Sequence, residues 1–258
     1  MISWILDEEM PVPEGNNPAF LNPIELEKLA GKRFPKRRME WLHGRWVAKQ
    51  LLQRQHPACR GCSLSEILIQ NETSGLPYAT LADGSRLPGS LSITHSGPLA
   101  ASALVLDAKC EVGIDLEKIE PRPAGIFETY FTRHEIAYIH TLSPDDLPKV
   151  ITLIWSAKEA VLKALGAGLS MDTRRIEISF SGSEDPKAAQ GGWQEFEVAL
   201  QDLTKPGADN LTGIGLNWDG WWQTYHEFIL TIAVSRPTPA PPCREGLGVG
   251  GEIPLQVI

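Results

Sequence analysis

The stretch EVGIDLEKIEP, residues 111–121, places two carboxylates directly after an apolar run. Asp115 and Glu117 follow Val112-Gly113-Ile114 and lie two residues apart. Residues i and i+2 of a β-strand lie on the same face, so the pattern predicts a strand that presents both carboxylates on one side. Like charges at this spacing repel and raise each other's pKa. A cation or a set of hydrogen-bond donors is therefore expected between them, and a solvated strand end is the alternative.

The composition is typical of a soluble globular protein. The chain has 258 residues, of which 42% are hydrophobic and 22% are charged, enough to bury one large core or two modest ones. No apolar run reaches membrane-spanning length, and the N-terminal MISWILDEEM lacks the basic flank and long apolar region of a secretory signal. We therefore expect a cytoplasmic protein that does not enter a membrane. The net charge of -8 argues against a general nucleic-acid binder.

Residues 28–54 are basic, in contrast to the net negative charge of the whole chain. They carry nine lysines and arginines and a single acidic residue, Glu40. The segment predicts a surface on which an anionic ligand docks. Just beyond it, His56, Cys59 and Cys62 have half-site metal spacing, but no fourth ligand or second CxxC is apparent. We expect no metal there and interpret both cysteines as loop residues after a helix.

The periodicities predict a helix followed by sheet twice along the chain. Helical spacing runs through residues 37–55 and 151–165. Asp219-Gly220 is interpreted as a hairpin turn. Segments with the composition and alternation of strands follow each helix, at 65–70, 91–106, 175–180, 193–200, 211–218 and 222–234.

The two halves also resemble each other in sequence. Setting WLHGRWVAKQLL, from Trp41, over WSAKEAVLKALG, from Trp155, pairs Lys49 with Lys163. Chance matches between two ordinary amphipathic helices are the alternative. The duplication predicts an α+β fold of two similar α/β subdomains related by a pseudo-twofold axis, each a long helix packed on a small, mostly antiparallel sheet, with a ligand cleft between them. The predicted subdomains are residues 1–108 and 109–235, and a Pro- and Gly-rich tail follows at 236–258.

An ordered set of motifs resembles the 4′-phosphopantetheinyl transferase superfamily, in particular the two-subdomain type that activates peptide and polyketide synthases. The motifs are RRMEWLHGRWVAK (37–49), LSITHSG (91–97), VGIDLE (112–117), YFTRHE (130–135) and WSAKEAVLKALGAGLSM (155–171). The resemblance implies transfer of the phosphopantetheine arm of coenzyme A to a serine of an apo acyl or peptidyl carrier protein, with release of 3′,5′-ADP. It implies Mg²⁺ as the cofactor, with Mn²⁺ as a substitute. The sequence does not distinguish among carrier proteins of fatty-acid, polyketide and nonribosomal peptide synthesis as the acceptor.

The same resemblance implies the site residues. Asp115, Glu117 and Glu159 are the implied metal-binding carboxylates. Lys163, one helical turn after Glu159, is expected to bind the ligand's phosphate and to stabilise charge on the leaving 3′,5′-ADP. The base for the attacking serine is either Glu159 or a metal-bound water, and Glu135 is a weaker candidate because its predicted capping box with Thr132 already accounts for it.

The implied contacts to the 3′-phosphate of coenzyme A come from the first long helix and from the strand after it. They are Arg38, Arg45, Lys49, His95 and Ser96. The chain departs from the family pattern in the loop before that strand, where similar proteins usually carry Gly-Lys-Pro and this chain has Gly75-Leu76-Pro77. The backbone of the loop is then expected to serve where the lysine side chain is missing.

Two other function classes are compatible with carboxylates, a lysine and a basic cleft. A metal-dependent pyrophosphate hydrolase acting on coenzyme A or nucleotides is one, although no compact helix of clustered glutamates is present. A non-enzymatic module that binds coenzyme A or a carrier protein is the other, and it would not need Glu159. An internal duplication makes a monomer sufficient, so we expect a monomer.

Overall fold

The computed structural model describes residues 1–7, 10, 18–123, 125–180, 192–200, 216–237 and 255–257. The predicted strand at 211–218 is therefore described only from residue 216, and most of the predicted tail lies outside the described residues. No helix in the described ranges is both long enough and apolar enough to cross a bilayer.

The first half of the chain combines two helices with two small sheets. Its elements are β1 (Ile2–Asp7), α1 (Pro23–Ala30), α2 (Pro35–Gln55), β2 (Ile67–Asn71), β3 (Pro77–Leu81), β4 (Ser90–Ser96) and β5 (Leu99–Val105). β1, β5 and β4 form an antiparallel sheet, β2 and β3 form a hairpin, and α2 packs on β5. β11 (Leu255–Val257) adds a parallel strand beside β1.

The second half repeats this plan around a longer sheet. Its elements are β6 (Glu111–Lys118), α3 (Gly125–Tyr130), α4 (Arg133–Ile139), α5 (Leu147–Leu165), β7 (Ile176–Ser179), β8 (Gln194–Leu200), β9 (Leu216–Tyr225) and β10 (Phe228–Pro237). The antiparallel sheet has the order β6-β10-β9-β8-β7, and α5 packs on β6 and β10. The predicted α+β class, with a long helix on a mostly antiparallel sheet in each half, is confirmed.

The predicted hairpin turn at Asp219-Gly220 is wrong. Both residues lie inside β9, and the chain reverses at His226-Glu227, between Tyr225 and its partner Phe228. Gly220 serves close packing instead of a turn, because a Cβ there would lie 2.3 Å from the ring of Phe196 on the neighbouring strand.

A glycine also sets the distance between α5 and β6. A Cβ at Gly113 would lie 1.8 Å from the carbonyl oxygen of Ala160, so only glycine allows the helix to approach the strand this closely. The close approach brings the side chains of α5 to the carboxylates of β6. The glycine in GIDLE is therefore part of what positions the candidate site.

Hydroxyl groups on alternate residues of β4 join the two halves. The amides of Val112 and Ile114 donate to the hydroxyls of Ser90 and Ser92, at 3.0 Å and 3.1 Å. Thr94, two residues further along β4, donates to Oδ1 of Asp115 at 3.2 Å. All three hydroxyl-bearing residues are buried. The strand of one half thus anchors the carboxylate-bearing strand of the other.

A buried ion pair recurs in both halves and defines the internal repeat. Lys49 of α2 pairs with Glu25, and Lys158 of α5 pairs with Glu135, all four side chains being buried. Each glutamate closes a capping box at the start of its helix, α1 or α4, as predicted for the second of them. Each also accepts from a strand amide, that of Ile69 or of Ile178.

This repeat corrects the sequence alignment of the halves. Lys49 corresponds to Lys158, and Trp46 corresponds to Trp155, so the pairing of Lys49 with Lys163 was wrong by five residues. The tryptophans confirm the register, because Trp46 donates to Asp7 at 3.1 Å and Trp155 donates to Glu117 at 3.2 Å. The proposed subdomain boundaries, 1–108 and 109–235, stay a prediction.

Candidate active site

Asp115 lies at the junction of three elements. It is buried, and its Oδ1 accepts from Nζ of Lys163 at 2.7 Å and from Thr94 at 3.2 Å. Its Oδ2 accepts from the hydroxyl of Ser156 on α5 at 2.8 Å, and Ser156 also contacts Thr231 of β10 at 2.9 Å. Both carboxylate oxygens are therefore held in place by protein donors.

Glu117 lies two residues along β6, on the same face as Asp115, as the strand period predicts. The indole of Trp155 donates to its Oε1 at 3.2 Å, and Arg122 donates to its Oε2 at 2.8 Å. Desolvation raises the pKa of Glu117, the charge of Asp115 raises it further, and Arg122 opposes both. The predicted repulsion between the two carboxylates is present, and donors from a helix and a loop offset it.

Glu159 completes the carboxylate cluster, which we define as Asp115, Glu117 and Glu159. Desolvation raises the pKa of Glu159 to about 6, the charges of Asp115 and Glu117 add to the rise, and Lys163 opposes it. The charges of Asp115, Glu117 and Lys163, which the sequence singled out, thus all act on Glu159. A carboxyl group with a pKa near neutrality is suited to taking up a proton.

The donor set of the cluster is one that a hard divalent cation prefers. Mg²⁺ binds oxygen ligands, and a cation among the carboxylates would offset the repulsion that raises the pKa of Glu117 and of Glu159. Within the described ranges, however, no three His, Cys, Asp or Glu side chains are grouped closely enough to form a metal site. This holds for the carboxylate cluster as it stands, and also for His56, Cys59 and Cys62. His56 instead caps a turn through the amide of Ala58.

A basic pocket of about 410 Å³ lies beside the cluster, on the first half of the chain. It is lined by Lys32, Arg37, Glu40, Trp41, Gly44, Arg45, Asn71, Gly75, Pro77, Ile93 and His95. A larger cavity of about 710 Å³ lies between β8 and β9 and is lined by none of the cluster residues. Volume alone therefore does not identify the site, and the excess of positive charge in the lining of the smaller pocket does.

Arg45 is the most enclosed cation of the basic pocket. Its guanidinium lies 4.4 Å from the ring centroid of Trp41, and Nη2 donates to Oδ1 of Asn71 at 3.1 Å. Burial lowers its pKa to about 10. Nε is buried and has no hydrogen-bond partner among the described residues. A buried, incompletely paired guanidinium is a strong position for binding an anion.

His95 connects the basic pocket to the carboxylate cluster. It lines the pocket, while Thr94 beside it on β4 bonds to Asp115 from the opposite face of the strand. Desolvation lowers the pKa of His95, Lys163 lowers it too, and the charges of Glu40 and Asp115 oppose them. Ser96 ends the same strand at a half-buried position.

Two residues expected in the pocket are directed elsewhere. Lys49 is fully buried against Glu25 and the carbonyl of Phe20, because each four-residue step along a helix turns the side chain by about 40° and three steps from Arg37 point it into the core. Arg38 donates to the carbonyl of Leu29 at 2.9 Å, at the end of α1.

Arg37 and Lys32, which line the pocket instead, were missed by the sequence analysis. The four-residue spacing of Arg37, Trp41 and Arg45 places them on one face of α2 and was the signal for Arg37. Lys32 precedes α2 and had no such signal.

Comparison with known proteins shows which family this chain resembles. The family model described as the 4′-phosphopantetheinyl transferase superfamily matches residues 111–233. The second half of the chain is therefore similar to this superfamily. The 4′-phosphopantetheinyl transferase HetI of Nostoc sp. is 27% identical over 188 residues, which are 71% of this chain and 76% of HetI. The 4′-phosphopantetheinyl transferase ffp of Bacillus subtilis is 32% identical over 80 residues, 31% of this chain and 34% of that protein.

The chain spans only part of the length of several curated relatives that it matches. A relative from Synechocystis sp. is 27% identical over 171 residues and is matched over 65% of its length. Among solved structures, the ACPS-CoA complex of Chronobacterium ammoniagenes aligns with a TM-score of 0.37 at 19% identity, over 50% of this chain and 98% of that chain. The family match includes the whole carboxylate cluster and Lys163, whereas Arg45 and His95 lie before it.

Proposed function

We propose that this protein transfers the 4′-phosphopantetheine arm of coenzyme A to a serine of an apo acyl or peptidyl carrier protein and releases 3′,5′-ADP. The observation that carries the proposal is the joining of two charged features through β4. Thr94 bonds to Asp115 of the carboxylate cluster, and His95, the next residue, lines the basic pocket. A ligand with an anionic nucleotide end and a reactive pyrophosphate needs both features side by side.

The basic pocket would hold the nucleotide end of coenzyme A. Arg45, Arg37 and Lys32 supply positive charge, His95 supplies a ring nitrogen, and Trp41 offers an aromatic face. Charge-assisted hydrogen bonds from such groups are about twice as strong as neutral ones. Ser96 follows His95 at the end of β4 and does not line the pocket, and we keep it in the proposal as a contact to the ligand. Lys49 and Arg38 are not part of this proposal.

The carboxylate cluster would hold Mg²⁺, with Mn²⁺ as a substitute, through Asp115, Glu117 and Glu159. When bound, a divalent cation neutralises charge on the pyrophosphate. The protein's own part is to fix these oxygens beforehand. Lys163, Thr94 and Ser156 orient Asp115, and Trp155 with Arg122 orient Glu117.

The transfer exchanges one phosphorus–oxygen bond for another. The serine oxygen of the carrier forms a bond to the phosphorus that bears pantetheine, and the bond from that phosphorus to the bridging oxygen of 3′,5′-ADP breaks. Glu159 is the side chain proposed to take the serine proton, since its pKa of about 6 lies near neutrality. Lys163 stabilises the charge that moves to the leaving oxygen. Glu135 takes no part, because it is buried in an ion pair with Lys158.

A transfer assay tests the proposal. The protein is incubated with coenzyme A, Mg²⁺ and a panel of apo carriers from fatty-acid, polyketide and peptide synthesis, and the intact mass of each carrier is measured. We expect one carrier to gain one phosphopantetheine group, and expect Glu159→Gln to lose this activity. Glu111→Gln, an exposed residue on the same strand as Asp115, is the matched control and should keep it.

The two rival functions predict other outcomes of the same assay. Cleavage of coenzyme A without any gain of mass on a carrier would indicate a pyrophosphate hydrolase, and binding without cleavage would indicate a binding module. We also propose that the enzyme acts as a cytoplasmic monomer, because one chain supplies both charged features. Sedimentation at micromolar concentration with and without coenzyme A checks the oligomeric state.

A further inference from the structure

The tip of the β2–β3 hairpin reaches from the basic pocket to the end of α5. The tip, which we define as residues 72–76, is closed by its own backbone, since the amide of Glu72 donates to the carbonyl of Leu76 at 2.8 Å and the amide of Gly75 donates to the carbonyl of Glu72 at 2.9 Å. It is a tight turn and presents Leu76 at a fixed position. Gly75 and the following Pro77 line the basic pocket.

The pocket side of the tip is bonded to the enclosed arginine. Nδ2 of Asn71 donates to the carbonyl of Gly75 at 2.8 Å, and Oδ1 of the same amide accepts from Nη2 of Arg45 at 3.1 Å. The amide side chain therefore bridges Arg45 and the tip. A displacement of Arg45 or of the tip is therefore transmitted to the other through these two hydrogen bonds.

The other side of the tip packs on α5. Gly166 ends this helix in the left-handed conformation, with φ of 64°, and a Cβ at that position would lie 2.7 Å from Cδ1 of Leu76. The leucine side chain thus fills the space beside the glycine. Lys163 lies three residues earlier, in the last turn of the same helix.

We propose that Leu76 is a positioning residue, which fixes the end of α5 against the basic pocket so that Lys163 and Glu159 meet a ligand held by Arg45. The inference rests on the proposed function, because it takes the pocket to bind the 3′,5′-ADP end of coenzyme A. Misplacing a reacting group by about 1 Å can cost about a hundredfold in rate, so an apolar contact at this point affects turnover without touching the ligand.

Hydrogen exchange with the product as the probe tests this assignment. Amide exchange in the last turns of α5 is followed by mass spectrometry with and without 3′,5′-ADP, in the wild type, Leu76→Ala and Leu76→Met. We expect the product to slow exchange there by about tenfold in the wild type and in Leu76→Met, which keeps an apolar chain of similar reach, and by less than twofold in Leu76→Ala. The dissociation constant of 3′,5′-ADP should change by less than about twofold, since the pocket is intact.

A second variant keeps the test independent of the first one's folding. Gly166→Ala pushes Leu76 away from the helix end and should also abolish the ligand-dependent protection. In both variants kcat should fall about tenfold while KM for coenzyme A stays within about twofold. Because both changes break one contact, the double variant should lose no more turnover than either alone.

The outcomes separate the two proposals. If the wild type binds 3′,5′-ADP and the protection of α5 persists in Leu76→Ala, then Leu76 has no positioning role and the proposed function stands. If the wild type transfers phosphopantetheine but turnover is unchanged in Leu76→Ala, the same conclusion follows. If the wild type neither binds 3′,5′-ADP nor transfers the arm, the pocket assignment fails, and the role of Leu76 fails with it.

Discussion

Nζ of Lys163 lies 2.7 Å from Oδ1 of Asp115, and this contact ties α5 to β6. Glu159 and Lys163 are four residues apart, a spacing at which two side chains on one helical face can pair. Across the helix–strand interface, the buried Asp115 offers the lysine a nearer and more desolvated partner. Glu159 thereby keeps less compensating charge, in agreement with its raised pKa.

This contact changes what removal of Lys163 should do. Lys163→Met is expected to lower kcat strongly, because the charge it supplies is needed mainly in the transition state. It should also lower the free energy of unfolding by about 1.5–3 kcal/mol, the range for a hydrogen bond to a charged group. Steady-state kinetics and urea unfolding measure the two effects. A loss of stability as small as that of an exposed helical pair would show that Asp115 does not depend on the lysine.

The carboxylates of the cluster should contribute unequally to activity. Asp115→Asn and Glu159→Gln are each expected to lower turnover by about a hundredfold or more, through loss of charge stabilisation at the pyrophosphate. Glu117→Gln should be milder, since water can replace one oxygen in a Mg²⁺ shell. Calorimetric titration should show that Asp115→Asn and Glu159→Gln weaken Mn²⁺ binding more than Glu117→Gln does. Full turnover in Glu159→Gln would exclude the cluster as the reacting centre.

The raised pKa of Glu159 predicts a pH dependence of stability. A carboxyl whose pKa is higher in the folded state than in the unfolded state stabilises the fold at low pH, and this contribution is lost as pH rises through the folded value. For Glu159 the loss should occur between about 4.3, the unperturbed value, and about 6.

Urea unfolding of the metal-free protein between these pH values checks the sign. The stability of the wild type relative to Glu159→Gln should decline with rising pH. A difference that stays constant would mean that the carboxyl has an ordinary pKa.

Much of the site could be predicted from local spacing. The same-face position of Asp115 and Glu117 follows from the strand period, and the capping box of Thr132 with Glu135 follows from its four-residue signature. The pairing of Lys163 with Asp115 could not be predicted, since it depends on how closely α5 approaches β6. That distance is set by Gly113, whose role is visible only once the helix is packed on the strand.

The failures share a physical reason. Trp41 and Trp155 match by residue type alone, whereas the buried ion pairs of Lys49 and Lys158 define the register of the repeat. From sequence alone, a lysine in a helix with many basic residues is expected to lie on the surface. Only the packing of α1 against α2 shows that Lys49 has a buried partner 24 residues earlier in the chain.

Arg45 and His95 should discriminate coenzyme A from dephospho-coenzyme A. Arg45→Ala and His95→Ala are each expected to weaken coenzyme A by about 1–3 kcal/mol more than the dephospho form, as charge-assisted contacts to the 3′-phosphate. Calorimetry with both ligands measures the difference. Arg38→Ala is the control and should leave both affinities unchanged, since Arg38 bonds to Leu29. Equal losses for the two ligands would place the contacts on another part of coenzyme A.

The buried ion pairs Lys49–Glu25 and Lys158–Glu135 should contribute to the free energy of unfolding and have little effect on coenzyme A binding. Burial lowers the pKa of Lys49 and of Lys158, and the partner glutamate opposes the shift in each case. Removing one member of a buried pair leaves an uncompensated charge and costs about 3–5 kcal/mol. Lys49→Met and Lys158→Met should therefore both lower the free energy of unfolding by about that amount.

Double variants separate the loss of charge compensation from the loss of packing. Glu25→Gln with Lys49→Met, and Glu135→Gln with Lys158→Met, leave no buried charge, so each should recover part of the stability lost in the lysine variant. Urea unfolding of all the variants measures the recovery, and coenzyme A binding is measured where each is folded. Since Lys49 lies outside the basic pocket, its loss should leave the dissociation constant of coenzyme A nearly unchanged. If Lys49→Met weakens coenzyme A binding but hardly changes the free energy of unfolding, Lys49 contacts the ligand. The alignment of Lys49 with Lys158 in the repeat would then be wrong.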